Sequence, residues 1–273
     1  MTQMLQVAGR EIRMGFRNPW AYSFLALFAL FMLALLLINR QGYVQGYSGV
    51  TGTMLNLILY LLPLMTLMLG SFSLTGEKED GGWELLSTYP LTTGAYLIGK
   101  YIGLAVVLLA IAAFGFGLAG VAGWAAGGGF GFRTYVVLLA FSFCLALMYL
   151  AVSQLVGALA RNRWQALTIS AAVWFFTVMA WPALLIAVLG MLPYPWIKPG
   201  VSVLTLFNPA ELARLLAVIK LGGGSMLGAD YTEWVTWIRG GSGTMVFTVV
   251  CLAWVAVCLG LAGWLWERGR RHG

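Results

Sequence analysis

The segment Gly76-Glu-Lys-Glu-Asp-Gly-Gly-Trp-Glu-Leu-Leu-Ser-Thr-Tyr-Pro90 carries Glu77, Glu79, Asp80 and Glu84, four of the nine acids in this 273-residue chain, around one base, Lys78. Charge-free runs flank it at 41–76 and 101–132. Each run holds the roughly 20 apolar residues that carry a helix across a bilayer. A charge at the centre of such a helix costs about 2.5–3.5 kcal/mol, so the charged segment marks a point where the chain leaves the membrane. Carried outward, the same criterion finds runs at 18–39, 134–160, 164–197 and 240–266. Backbone groups in lipid must be paired within their own segment, which makes these runs helices. The ~10-residue alternation of an outer-membrane barrel is absent from the sequence. The expected fold is all-α and polytopic, a single transmembrane domain over 1–273 with spans near 20–38, 53–74, 96–123, 134–160, 165–191 and 243–266.

Composition agrees. Apolar residues make up 61% of the chain and charged ones 9%, against roughly a quarter charged in soluble domains. Three cysteines exclude a disulfide scaffold. A net charge of +7 does not imply nucleic acid, because the bases sit at the ends of apolar segments and form no patch.

Six spans put both termini on one side. Arg10, Arg13, Arg17, Lys78, Lys100, Arg161, Arg163, Arg268, Arg270 and Arg271 then fall together, while the two short opposite loops hold only Arg40 and Arg133. The positive-inside bias places both termini in the cytoplasm. The first span is longer than a signal-peptide core and is expected to remain as an anchor.

Three segments lie outside the spans. Residues 1–18 read as an amphipathic interfacial helix, with Met4, Leu5, Ala8, Ile12 and Phe16 on one face, Arg10, Arg13 and Arg17 opposite, and Asn18-Pro19 as a stop. Residues 75–95 read as a cytoplasmic loop. Its crowded acids and its apolar Trp83, Leu85 and Leu86 suit docking to a soluble partner, although a solvated charge run would look alike. The long outer segment 192–242 contains a helix signature, with Asn208 as N-cap, Pro209 in the first position, Glu211 in the first turn and Arg214 one turn on. Leu212, Leu215, Leu216 and Ile219 form its apolar stripe, and Gly222-Gly-Gly224 ends it. This segment offers a surface for an extracytoplasmic protein, or a structural lid.

Several patterns resemble sites without forming them. Gly94-Ala-Tyr-Leu-Ile-Gly99-Lys100 approaches a phosphate-binding loop, but Tyr101 replaces the hydroxyl residue that holds Mg²⁺. No catalytic residue is assigned; His272, the single histidine, lies in the basic tail. No metal ligand is assigned either. Cys144 with Met148 (i, i+4) and Cys251 with Cys258 (i, i+7) read as packing rather than as soft-metal ligands. With no acid inside a span, the interior is expected to be apolar, with scattered polar groups such as Asn56 and Gln154. Gly115-xxx-Ala119-xxx-Gly123 and Ala256-xxx-Gly260 are flat strips where another helix can approach closely. Asn208-Pro209-Ala210 keeps a passive aquaporin-like channel as the alternative, although the partner triplet expected after the second span is missing.

The basic entry helix, the run Thr75-Gly-Glu-Lys-Glu-Asp-Gly-Gly-Trp-Glu-Leu-Leu-Ser-Thr-Tyr-Pro90 and the following Gly99-Lys100-Tyr101 together resemble ABC-2-type permeases, the membrane subunits of one class of ABC transporter. Their loop after span two shows an acid–base–acid run, Gly-Thr, a Leu pair, a Pro and then Gly-Lys; here Gly82-Trp83 departs from that pattern. Leu206-Phe-Asn-Pro-Ala-Glu-Leu-Ala-Arg-Leu-Leu216 is similar to the Asn-Pro-x-acid-x-x-Arg segment of the NosY-like branch. The resemblance implies a permease, an exporter in this reading, paired with a second copy or a paralogue. Separate ATPase subunits would hold the ATP and Mg²⁺, and this chain itself would carry no cofactor. It also implies that Glu77, Lys78, Glu79, Asp80, Trp83, Glu84, Leu85 and Leu86 couple the permease to the ATPases, and that residues 1–18 are an elbow helix. A membrane subunit that transmits force without moving cargo is a further alternative.

Overall fold

A computed structural model describes residues 2–38, 43–44, 46–81, 92–125, 129–227 and 231–272. Helix α1 (Thr2–Gly15) leads into α2 (Pro19–Ile38), a 20-residue charge-free helix that opens on proline, whose missing N–H costs nothing at that position. Then come α3 (Gly49–Glu79), α4 (Thr93–Ala125), α5 (Phe132–Leu159), α6 (Arg163–Met191), α7 (Tyr194–Phe207), α8 (Pro209–Lys220), α9 (Thr232–Arg239) and α10 (Gly241–His272). Five of these, α3 to α6 and α10, are long and apolar enough to cross a membrane. The described apolar part of α2 is shorter, and α7 with α8 forms a bent apolar pair, a broken span or a re-entrant loop, so the helices allow five or six crossings where the sequence predicts six. The one strand pairing among the described residues joins β1 (Tyr43–Val44) in parallel to β2 (Gly129–Phe130).

Two ends are distinguishable. At one, α1 lies beside the end of α3 and the start of α4, and Tyr96 of α4 stacks on Trp266 of α10 at 5.8 Å. At the other, the β1–β2 pair, the Gly46 N–H to Thr134 Oγ1 bond (3.1 Å) and the Arg133 Nη2 bond to the Lys220 carbonyl (3.3 Å) gather the remaining connections. The N-terminal helix and the end of α10 therefore share one end.

One expectation is corrected. The connection after the second span does not begin at 75. Ser48 caps α3 through a reciprocal box with Thr51, and the helix runs 31 residues to Glu79. At 1.5 Å per residue that is about 46 Å, longer than the roughly 30 Å of hydrocarbon. The acid–base–acid run thus sits on a helix that projects past the apolar layer, and the turn comes at Gly81, whose φ of +68° suits glycine. Trp83, Glu84, Leu85 and Leu86 lie outside the described residues. Within 192–242, the helix read from Asn208 and Pro209 is α8, with α7 before it and α9 after. Asn208 bends α7 into α8 through 108°, and α8 packs with α5 and α3 through Ala210, Ala213 and Ala217 in the main core.

The core lies between α3, α4 and α5, around Met54, Ile58, Phe116, Leu138, Leu145 and Tyr149. Small residues set the spacing. A Cβ on Gly70 would lie 1.8 Å from Ser153 Oγ, and one on Gly157 would lie 2.8 Å from Leu74 Cβ, so α3 and α5 touch almost backbone to backbone. In the predicted Gly115 strip, a Cβ would meet the Phe28 ring at 2.7 Å, so α2 of the same chain occupies that groove. Gly260 faces open space. In α6 a π-turn over Phe175–Ala180 precedes Pro182, which has no N–H to offer the carbonyls one turn back.

Gly70→Val is expected to destabilise the detergent-solubilised protein by about 1–3 kcal/mol, the usual cost of overpacking. Gly260→Val should leave its thermal unfolding midpoint unchanged. Equal midpoints for the two variants would refute the assigned α3–α5 contact.

Candidate functional site

The charged run at the end of α3 is directed inward and outward by helical geometry. Successive side chains point about 100° apart, so Glu77, Lys78 and Glu79 face different neighbours, while Asp80, the C-cap, shares the neighbour of Glu79. Glu77 turns toward α1 and α4. Its Oε1 accepts from Arg10 Nη2 at 2.9 Å and from Lys100 Nζ at 3.2 Å, and the Tyr96 hydroxyl donates to its Oε2. Lys78 turns toward α5. Its ammonium donates to the carbonyls of Gly157 (2.8 Å), Ala158 (2.9 Å) and Ala160 (2.7 Å) and lies 4.9 Å from the Trp266 ring centre. These are the carbonyls that a helix C-terminus leaves unpaired, where a cation is favoured. Glu79 turns toward α6. It accepts from the Arg163 N–H at 2.8 Å and pairs with the guanidinium at 3.2 Å, placing an anion at the start of α6 beside its cap Asn162. Asp80 stands 3.8 Å from the same guanidinium. One turn thereby touches α1, α4, α5, α6 and α10.

Sequence reasoning missed the centre of this cluster. Lys100 is fully buried, and its Nζ lies 2.5 Å from Glu11 Oε1 and 2.7 Å from Ser73 Oγ. Ser73 in turn donates to Glu11 Oε2 at 2.9 Å. Glu11 is 3% exposed, an acid in the first helix that the charge count passed over. The available signal was periodicity: Val7, Ala8, Glu11 and Gly15 share the edge of α1 that meets Gly99, Gly103 and Val107 of α4. A Cβ on Gly103 would lie 2.5 Å from Glu11 Cβ and 2.7 Å from the Ala8 carbonyl, so only glycine lets α1 lie this close. Leu5 and Met14 of α1, and Phe16 just after it, are exposed. Arg13 and Arg17 line a shallow pocket with Arg10 on its outer flank.

A buried pair of this kind adds little net stability, because desolvation offsets attraction; removing one partner, however, leaves an uncompensated charge. The cluster is therefore a positioning device that fixes α1 against α3 and α4. It also rules out the phosphate-loop reading of Gly94–Lys100, since the Lys100 amine is committed to Glu11, Ser73 and Glu77. Beside it opens a cavity of about 830 Å³, with Glu77, Glu79, Asp80 and Arg163 at its rim and Leu69 and Leu104 among its apolar walls. The expectation of an apolar interior thus fails at this end, because the acids at the end of α3 and Glu11 of α1 face the space between helices.

At the opposite end, the Asn208 side chain accepts the Ala210 N–H at 2.9 Å, capping α8, and its Nδ2 donates to the Thr177 carbonyl in the π-turn at 2.6 Å. Pro209 takes the first helical position, and Glu211 holds Arg214 through two contacts of 2.5 and 3.0 Å. Both ends of the Asn208 amide are used in packing α8.

Residues 5–269 match a family described as ABC-2 family transporter protein. The chain is 28% identical over 282 residues to a Stutzerimonas stutzeri protein called probable ABC transporter permease protein NosY, covering 98% of this chain and 99% of that one. It is 30% identical over 221 residues to the protein of the same name from Pseudomonas aeruginosa, covering 77% and 79%. The family match overturns the channel alternative.

Lys100→Met is expected to lower stability by about 3–5 kcal/mol, because Glu11 is left buried and unpaired. Adding Glu11→Gln should restore most of that loss, since Glu77 keeps Arg10 and Tyr96. Additive losses in a double-mutant cycle of thermal midpoints would show that the two groups do not interact.

Proposed function

Because the chain belongs to the ABC-2 transporter family, as a membrane subunit of the permease type, we propose that the turn Glu77–Asp80 is the hub through which separate ATPase subunits move its helices. The carrying observation is that this one turn contacts five other helices. A push on the segment that follows it would reach α1, α4, α5, α6 and α10 together. Residues 82–91, with Trp83, Glu84, Leu85 and Leu86, would seat on the ATPase, while Glu77, Lys78 and Glu79 pass the displacement inward. In this reading the side chains of the acid–base–acid run act mainly within the permease, and their coupling role is indirect.

The concentration of bases at the α1 end supports placing that end, and both termini, in the cytoplasm. The mixed polar and apolar walls of the cavity there suit loading from the cytoplasmic side, and hence export. Pairing with a second copy or a paralogue, residence in a bacterial plasma membrane and an extracytoplasmic partner on 192–242 belong to the same proposal.

The test is purification in mild detergent with a cognate ATPase subunit, followed by ATPase assays in proteoliposomes. Glu79→Ala with Asp80→Ala removes the Arg163 contacts at the start of α6 and leaves the Lys100 cluster intact. The variant is expected to retain the ATPase in the same ratio but to lose most of the permease-dependent change in ATP hydrolysis, at least fivefold. Unchanged hydrolysis with unchanged binding would refute the hub, and failure of the wild-type chain to retain an ATPase would refute the docking.

A further inference from the structure

The cavity beside the Lys100 cluster changes character along its depth. At its mouth, Glu77, Glu79 and Asp80 of α3 share the space with Arg10 of α1 and Arg163 of α6. Leu69 and Leu108 belong to its inner wall, and the same two residues line a narrow apolar slot bounded by Phe24, Phe28 and Met65. The one polar side chain lining that slot, Thr66, spends its hydroxyl on the Leu62 carbonyl at 2.8 Å. Met65 lies twelve residues before Glu77 on one helix, about 18 Å at 1.5 Å per residue. The charged mouth therefore stands where α3 leaves the apolar layer, and the slot reaches well into hydrocarbon depth. A charged end and an apolar end at these two depths fit an amphiphile that already lives in the bilayer.

The charges at the mouth specify its polar end. Arg10 and Arg163 are both half-exposed, and a guanidinium has five N–H donors, more than their contacts to Glu77 and Glu79 use. Gly76 lets Arg163 lie against α3, since a Cβ there would come 2.8 Å from its Nη2. Asp80 is 75% exposed, and its nearest base among the described residues is Arg163 at 3.8 Å, beyond hydrogen-bond length. Among the described lining residues, four carboxylates stand against two guanidiniums. Acids remain in excess even with Lys100 behind them, so a net negative ligand is disfavoured and one bearing both signs is matched. We propose that the cavity holds a diacyl phospholipid with a primary ammonium headgroup. Its phosphate sits at Arg10 and Arg163, its ammonium at Asp80, and an acyl chain runs along Leu69 and Leu108 into the slot. A quaternary ammonium has no N–H to give Asp80 and binds less well. This inference rests on the reading of the cavity as a loading site and names the class of molecule it takes.

The test uses the full chain, delipidated in detergent and without an ATPase. It is offered phosphatidylethanolamine, phosphatidylcholine or phosphatidylglycerol with the same acyl chains, and native mass spectrometry reads the lipid retained. Wild type is expected to bind the second and third lipids about fivefold more weakly than the first, the worth of one partly exposed ion pair. Asp80→Asn should erase the preference over phosphatidylcholine and leave the thermal midpoint unchanged, because the carboxylate is exposed. Glycerophosphoethanolamine, the headgroup without chains, should fail to displace the bound lipid, which separates a lipid site from a phosphate site. Three results would each overturn the proposal: retention of either other lipid equal to that of phosphatidylethanolamine, an unaltered preference in Asp80→Asn, or displacement by the soluble headgroup. Lipid preference is measured with no ATPase present, so its failure leaves the Glu77–Asp80 hub standing, and an intact preference without coupling counts against the hub alone.

Discussion

A lysine with no exposed surface, 2.5 Å from a carboxylate on another helix, is the constraint around which this protein is arranged. Neither charge is tolerable alone in a low-dielectric interior, so α1 cannot leave α4 without exposing both, and α4 cannot rotate without losing Ser73 and Glu77 of α3. The amphipathic character of α1 would by itself only lay the helix on a membrane surface, with no fixed position. Glu11 converts that loose association into a fixed address, and Gly99 and Gly103 permit it by removing side chains from the contact.

The last turn of α3 extends the same logic. Its four charges are consecutive, and a helix spreads consecutive residues around its axis, so a run that looks in sequence like a solvated tether becomes a node with separate connections. Lys78 satisfies the carbonyls at the end of α5, while Glu79 satisfies the start of α6. The turn therefore closes both sides of the α5–α6 corner, where a bundle would otherwise have unpaired backbone groups. Charge that topology rules treat as a marker of solvent exposure is here the means of ordering helix ends.

The spans were legible because the cost of charge in lipid is large and local, and six charge-free runs could be read directly. The cap on α8 was legible because Asn208, Pro209 and Glu211 are local signals within one turn. Helix lengths were not, since a charge-free window ends where the first acid falls, whereas α3 continues to Glu79 by pairing its charges with Arg10, Lys78's carbonyl partners and Arg163. The Glu11–Lys100 pair was hidden for a related reason. Its members are 89 residues apart; periodicity sets Glu11 on the packed edge of α1, but nothing local shows which helix will meet it with a base. The contact of Cys144 with Met148 follows from i, i+4 helix geometry, whereas that of Cys144 with Cys251 depends on how α10 crosses α5.

Helix α6 ties the two ends of the molecule together. Its first residue is held by Glu79, and its π-turn leaves the Thr177 carbonyl to be satisfied by Asn208 at the head of α8. Pro182 prevents the helix from closing those bonds itself, so the outer segment completes α6 rather than merely covering it. A tilt of α6 that begins at the polar turn must either carry Asn208 along or take this part-buried hydrogen bond from the Thr177 carbonyl, at a cost of about 1 kcal/mol. That cost exceeds thermal energy and is small beside the free energy of ATP hydrolysis. The Thr177–Asn208 contact is therefore the point at which α6 and the outer segment are joined, and neither can shift there without the other.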